Sequence, residues 1–287
     1  MPARILGHVS TPVLLERWPA VRASLWDAFE RFSETVLSAP DPNAMATRHW
    51  SIADTAAHVA TVSGMYRFTL PPGDPATITA LVAGTTVDNL ALLNEQRLGS
   101  YTERDPHAIV ERIRADVTHM LDTSADLDPA TPIPWLGGAK IPVAGVLAHM
   151  MNELLIHRGD VGRPLGLTWE LSAQDAAMVF DLFIIGLLRY GPGAFLDGGA
   201  RSRERRIAVE FRSPHTVPVT MVLHRGTVSA EEPAPDNDIR ITFDPRTLML
   251  MLFHRVGKAR AVLSGGVRIS GPRPWLLPGF LRVVRAP

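Results

Sequence analysis

The 287-residue chain contains no cysteine. Disulfides, zinc–thiolate clusters and cysteine nucleophiles are therefore excluded. Lysine is almost missing too. Of the 29 basic residues only Lys140 and Lys258 are lysine, and the other 27 are arginine. With abundant alanine, glycine and proline, this reads as a GC-rich coding bias and not as chemistry. Net charge is absent, because 29 acidic residues balance the 29 basic ones. No global field is available to grip nucleic acid or an anionic membrane. Long apolar runs are lacking as well. The most apolar helical stretch, Ala176 to Leu188, covers about 13 residues and includes Asp181, whereas a membrane span needs roughly 20. The opening MPARILGHVSTPVLLERWPA has no extended apolar core ahead of a small-residue cleavage site. The expectation is a soluble, cytoplasmic protein with no nucleic-acid or membrane partner.

What is present suits a folded chain. Hydrophobic residues make up 46% and charged residues 20%, a globular balance that argues against disorder. The length favours two domains. Helical periodicity dominates the first two thirds. Leu15, Trp18, Val21, Leu25, Ala28, Phe29 and Phe32 recur at three- and four-residue steps, predicting a helix from Pro12 to about Ala39. Ser51 with Asp54 three residues on is a capping-box variant that opens a second helix, running to about Phe68. A third is predicted over Thr77 to Leu98. A fourth starts near Asp105 with Pro106 at its first position and reaches about Leu121. A loop, DPATPIPWLGGAKIP, leads to a fifth over Val143 to Val161. A sixth covers Ser172 to Tyr190.

After residue 200 the period changes to two. Ile207, Val209 and Phe211 alternate with polar or small residues, as do Val217, Val219, Met221 and Leu223, and then Ile239, Ile241 and Phe243. Asp244-Pro245 opens a short helix, and a further one is expected after Gly271-Pro272. The fold class is therefore α+β in two domains: a helical bundle over residues 1–165 and a small mixed α/β domain over 166–287, opened by the helix at about 172–190.

The fifth helix, VAGVLAHMMNELLIHRGDV, is apolar nearly all round, yet carries His149, Glu153 and His157 at four-residue steps. At about 100° per residue these drift by only about 40° per step, so they share one stripe, with Asp160 in the same sector. A buried ionised carboxylate is costly unless it is paired or bound to a metal. His58, a lone imidazole in the second helix, can meet Glu153 and His157 across a bundle core. Two histidines and a glutamate leave an open position on zinc and suit iron(II) equally. Blander readings stand beside this one. A lone His58 is more often a satisfied core residue. Glu153 and His157 can pair within their own helix, and His149 competes with His157 for the same task. His49, His107, His119, His215, His224 and His254 sit near turns or charged neighbours and read as surface residues. The GGA of Gly137 to Ala139 follows no predicted strand and opens no phosphate loop. Arg201 to Arg206 reads as a linker. Ser63 and Ser264 lie in no nucleophile elbow.

At these residues the chain resembles the mycothiol-dependent maleylpyruvate isomerase family. The resemblance rests on Trp50-Ser51-Ile52-Ala53-Asp54 through His58, on Glu153-x-x-x-His157-x-x-Asp160, and on the tail LSGGVRISGPRPWL from Leu263 to Leu276. Together these cover nearly the whole chain. The resemblance implies a DinB-like four-helix bundle followed by a sterol-carrier-like domain. It also implies a divalent metal, usually zinc, on His58, Glu153 and His157, with mycothiol as cosubstrate at the open position, and it demotes His149. Members often have Trp where this chain has Gly159. The arginine-rich composition suits the actinobacteria that make mycothiol. Asp160 is a candidate catalytic contributor that orients an imidazole, or equally a structural carboxylate at the helix end. The first functional expectation is a metal- and thiol-dependent isomerase or S-transferase. A metal enzyme that activates water or a carbonyl without thiol is the second, and a non-catalytic carrier of a small apolar ligand the third.

Overall fold

The computed structural model describes residues 11–70, 84–193, 196 and 205–284. Helix α1 is Thr11–Leu37, α2 is Ile52–Thr69, α3 is Leu90–Ser100, α4 is Pro106–Ser124 and α5 is Val143–Gly162. Their starts follow from local chemistry. Ser51 accepts from the Asp54 backbone N–H while Asp54 accepts from the Ser51 N–H, a reciprocal cap on α2. Asp105 caps α4 with Pro106 in its first turn. Helix α1 packs on α4 and α5, and α2 also packs on α4 and α5, closing a four-helix bundle with α3 against α2. Val21, Leu25, Phe29 and Phe32 of α1, Ile109, Ile113 and Val117 of α4, and Leu147, Met151 and Leu154 of α5 fill one core.

Two expectations are corrected here. The third helix begins at Leu90, and residues 77–83 of its expected span lie outside the described residues. Asn89 closes a turn ahead of it, accepting from the Thr86 N–H and donating to the Gly84 carbonyl. Gly84 has φ 72°, which leaves the helical region. The segment read as a loop before α5 contains a hairpin, β1 Pro132–Pro134 and β2 Lys140–Pro142, joined by a 3-10 turn at Leu136–Gly138. The GGA therefore does follow a strand, though a three-residue one. Ile133 pairs with Ile141 and both are buried. That burial holds the ribbon together despite its three prolines, Pro132, Pro134 and Pro142.

The sixth helix is interrupted. Segment α6, Ala173–Met178, passes through a π-helical stretch, Val179–Ile184, into α7, Ile185–Tyr190. Ser172 caps its start. Met178, Val179, Leu182, Phe183 and Leu187 belong to the bundle core. Phe180, Ile185 and Leu188 belong to a second core under the sheet. One helix thus seals both layers.

The sheet comprises β3 Ile207–Arg212, β4 Val219–His224, β5 Thr227–Glu231, β6 Ile239–Phe243 and β7 Val267–Ser270, in the order β5-β4-β3-β6-β7. Only β3 and β6 run parallel. Val217, expected at the start of β4, is exposed and lies outside the strand. Between β6 and β7 come α8, Pro245–Leu252, and α9, Lys258–Leu263. The tail carries a 3-10 turn and α10, Leu277–Phe280. Glu210, one of the polar residues that alternate with Val209 and Phe211, is buried beneath the guanidinium groups of Arg240, at 2.8 Å, and Arg212. Arg201 to Glu204 of the expected linker lie outside the described residues. No helix among the described residues is long and apolar enough to cross a membrane.

Candidate metal centre

Helices α2 and α5 run antiparallel with a register fixed by two pairs of side chains. The ring of His58 stands edge-on to His157, with centroids 5.0 Å apart. Eight residues further along α2, Tyr66 reaches back along α5 to His149, its hydroxyl 2.6 Å from Nδ1. Glu153 sits midway between the two histidines of α5. Its Oε2 lies 3.4 Å from His58 Nε2 and 3.5 Å from His157 Nε2. Its Oε1 lies 3.4 Å from His149 Nε2. His58, Glu153 and His157 bring donor atoms within 4.8 Å of one another, and among the described residues no other group of three does so.

The spacing suits a cation better than it suits direct pairing. Charge-assisted N–H···O bonds close to about 2.7–2.9 Å, so 3.4 and 3.5 Å are slack for an ion pair. Bonds of about 2.1 Å around a tetrahedral zinc place adjacent donors about 3.4 Å apart. The imidazole–imidazole–carboxylate set is also chemically right for zinc or iron(II). The residues present therefore fit the cation that the sequence implies.

Surrounding groups fix the set. Trp50 lies against His58, with ring centroids 4.7 Å apart, and also near His157 at 6.3 Å. Asp160 Oδ2 is 3.0 Å from His157 Nδ1. A carboxylate there holds the proton on Nδ1 and turns the Nε2 lone pair toward Glu153. Asp160 is itself buried and held by Arg255, whose Nε donates to Oδ1 at 3.1 Å and whose Nη2 donates to Oδ2. Asp160 thus contacts both the His157 imidazole and Arg255 at the end of α5.

Residues 18–162 match the family model described as the mycothiol maleylpyruvate isomerase N-terminal domain. The chain belongs to that family. Among solved structures it is similar to a mycothiol-dependent maleylpyruvate isomerase, at 12% identity over 88% of this chain and 92% of that one, with a TM-score of 0.45. A sterol carrier protein 2 from Yarrowia lipolytica matches at 13% identity, covering 36% of this chain and 91% of that one, TM-score 0.25. The sec-alkylsulfatase Pisa1 from Pseudomonas sp. matches at 14% over 81% of this chain and 32% of that one, TM-score 0.28. No curated protein matches the chain.

In this mycothiol maleylpyruvate isomerase family member the site is electrostatically polarised. Burial alone raises a carboxyl pKa, but the close approach of His157, His58 and His149 holds Glu153 well below its ordinary value. Burial depresses His58, and the contact with Glu153 offsets this only in part. Burial also depresses His157, yet Asp160 and Glu153 reverse the sign and raise it. His149 is depressed, by burial first.

Sequence reasoning missed four contributors. Tyr66, Trp135 and Phe183 enclose His149, and Arg255 reaches Asp160 from 95 positions away. No local signal distinguishes them, because each looks like core or surface in its own segment. Of the histidines read as surface residues, His49, His107, His215, His224 and His254 are exposed and His119 is half-buried. The expected departure at Gly159 has a packing counterpart. A Cβ there would lie 2.2 Å from the Trp169 ring, so an indole supplied ten residues later occupies the space.

Proposed function

We propose that this chain is a cytoplasmic, metal-dependent enzyme that uses mycothiol on a small electrophilic substrate, as an isomerase or an S-transferase. The observation that carries the reading is a compact His58–Glu153–His157 donor set in a cysteine-free member of this family. On this reading His58, Glu153 and His157 hold a divalent cation, zinc in the first instance. When bound, such a cation supplies the positive charge that keeps a coordinated thiol deprotonated near neutral pH.

The remaining work falls to the protein. Asp160 keeps the His157 tautomer that offers Nε2. Trp50 covers one side of His58 and limits the water that can reach it. The sulfur must come from outside, since the chain has none in cysteine. Addition of the cosubstrate thiolate to an electrophilic double bond forms one C–S bond and leaves a single bond free to rotate. Expulsion of the same thiolate restores the double bond, and the net result is isomerisation. Protonation of the carbanion with retention of sulfur gives a conjugate, the transferase outcome.

Two measurements test this. Elemental analysis of purified His58→Ala, Glu153→Ala and His157→Ala should show sharp loss of metal, while His149→Ala keeps its stoichiometry. Cobalt-substituted protein should gain a thiolate-to-metal charge-transfer band when mycothiol is added. Turnover without thiol and no band would instead favour water activation. Loss of metal in His149→Ala but not in His157→Ala would reverse the assignment along α5.

A further inference from the structure

His149 is the one imidazole of the stripe that lies outside the proposed ligand set, and it is not idle. We propose that Tyr66, acting through His149, is a positioning residue that holds the Glu153 carboxylate so that Oε2 is the oxygen offered to the cation. This rests on the metal reading above.

The argument is one of donors and acceptors. An indole N–H can only donate. Trp135 Nε1 donates to the Tyr66 hydroxyl oxygen at 3.1 Å. The phenolic proton then goes to the other partner of that oxygen, His149 Nδ1, at 2.6 Å. A neutral imidazole that accepts at Nδ1 carries its proton at Nε2. Nε2 faces Glu153 Oε1 at 3.4 Å, an electrostatic contact and not a full hydrogen bond. The opposite tautomer would aim two N–H donors at the phenol oxygen, strand the phenol proton and turn a lone pair toward a carboxylate. Each of those is unfavourable in a buried site.

The unit is built to be rigid. The His149 ring meets Phe183 with centroids 4.5 Å apart and Trp135 at 5.4 Å, both edge-on. Trp135 comes from the end of the β1–β2 hairpin, and Phe183 from the π-helical stretch. Such stretches often re-aim side chains at functional sites. Trp135, Tyr66 and Phe183 are almost fully buried. Glu153, in contrast, has three rotatable side-chain bonds, and fixing them costs free energy unless something else already has. The chain Trp135–Tyr66–His149 supplies that restraint on Oε1, while His58 and His157 stand on the Oε2 side.

Tyr66→Phe, His149→Leu and His149→Gln test it, with zinc affinity measured by chelator competition and unfolding midpoints of the metal-free proteins as control. His149→Leu should weaken zinc by roughly 10–100-fold, the usual cost of losing a group behind a ligand. His149→Gln keeps an N–H for Glu153 and should recover most of the affinity. Nitrogen-15 NMR of the metal-free wild type should show His149 protonated at Nε2, and Tyr66→Phe should show a mixture of tautomers. Tyr66→Phe removes one oxygen, so this arm stands even if His149→Leu fails to fold. Wild-type His149 protonated at Nδ1, or zinc affinity unchanged in both Tyr66→Phe and His149→Leu, would overturn the proposal alone. A wild-type protein that binds no zinc would overturn the metal reading and this proposal with it.

Discussion

Arg255 grips Asp160 across 95 positions of sequence, with Nε 3.1 Å from Oδ1 and Nη2 on Oδ2. This fork joins the segment after α8 to the last turn of α5, directly behind His157. Asp160 is 1% exposed, so its charge depends on Arg255, on His157 and on Arg163 at 3.3 Å. Arg255→Leu should therefore cost about 1.5–3 kcal/mol, the range for a hydrogen bond to a charged group. Arg255→Lys should not restore it, because an ammonium cannot reproduce two parallel N–H bonds. Urea denaturation of both variants checks this, and a lysine variant equal to wild type would refute the fork.

Gly159 is a packing requirement. Any Cβ at that position meets the Trp169 ring at 2.2 Å. Gly159→Ala should destabilise by about 1–3 kcal/mol, as overpacking does. In a Trp169→Ala background the same change should cost much less. The double-mutant cycle gives the coupling directly, and additive effects would mean that the two residues do not compete for the same space.

Asp181 gives stability an unusual pH dependence. Burial raises its pKa to about 7, although Arg17 at 2.8 Å, the Val217 N–H and Arg189 pull the other way. A carboxyl raised in the fold is neutral there while it is already ionised in the unfolded chain. The stability it contributes is complete below the unfolded value of about 4 and is lost as pH rises through about 7. Within that window the slope is about 1.4 kcal/mol per pH unit. Asp181→Asn should remove this component, so the difference in unfolding free energy between the two proteins should drift from about pH 4 to 7 and flatten above. Parallel curves would mean that Asp181 is ionised throughout.

We propose that the domain division lies near residue 165, with a qualification that the sixth helix imposes. Met178, Leu182 and Phe183 pack in the bundle core, while Phe180, Ile185 and Leu188 pack under the sheet. A fragment of residues 1–165 should be helical by circular dichroism but prone to aggregate. A fragment of residues 1–193 should unfold at a higher temperature, because it keeps the seal. Equal midpoints would show that the sixth helix contributes nothing to the bundle by itself.

The sequence by itself determined the starts of α2 and α4, the stripe and the change of period. Ser51 with Asp54 and Asp105 with Pro106 set their helices through contacts a few residues long, which local pattern records. The strands β3 and β6 were legible because Ile207, Val209 and Phe211, and Ile239, Ile241 and Phe243, alternate toward one core. Edge strands β5 and β7 were not, since TVSAE and VRIS have too few buried positions to show a period. The hairpin before α5 was hidden by its prolines. At the site, the sequence is symmetric about Glu153, with His149 four residues before and His157 four after, and no periodicity can break that symmetry. The tertiary structure gives the two imidazoles different surroundings. Antiparallel packing of α2 delivers His58 to one carboxylate oxygen, beside His157, and Tyr66 to the imidazole on the other, while Asp160 and Arg255 close behind His157 alone. A helix presents both histidines equally, and the neighbours that arrive from elsewhere in the chain make their surroundings differ.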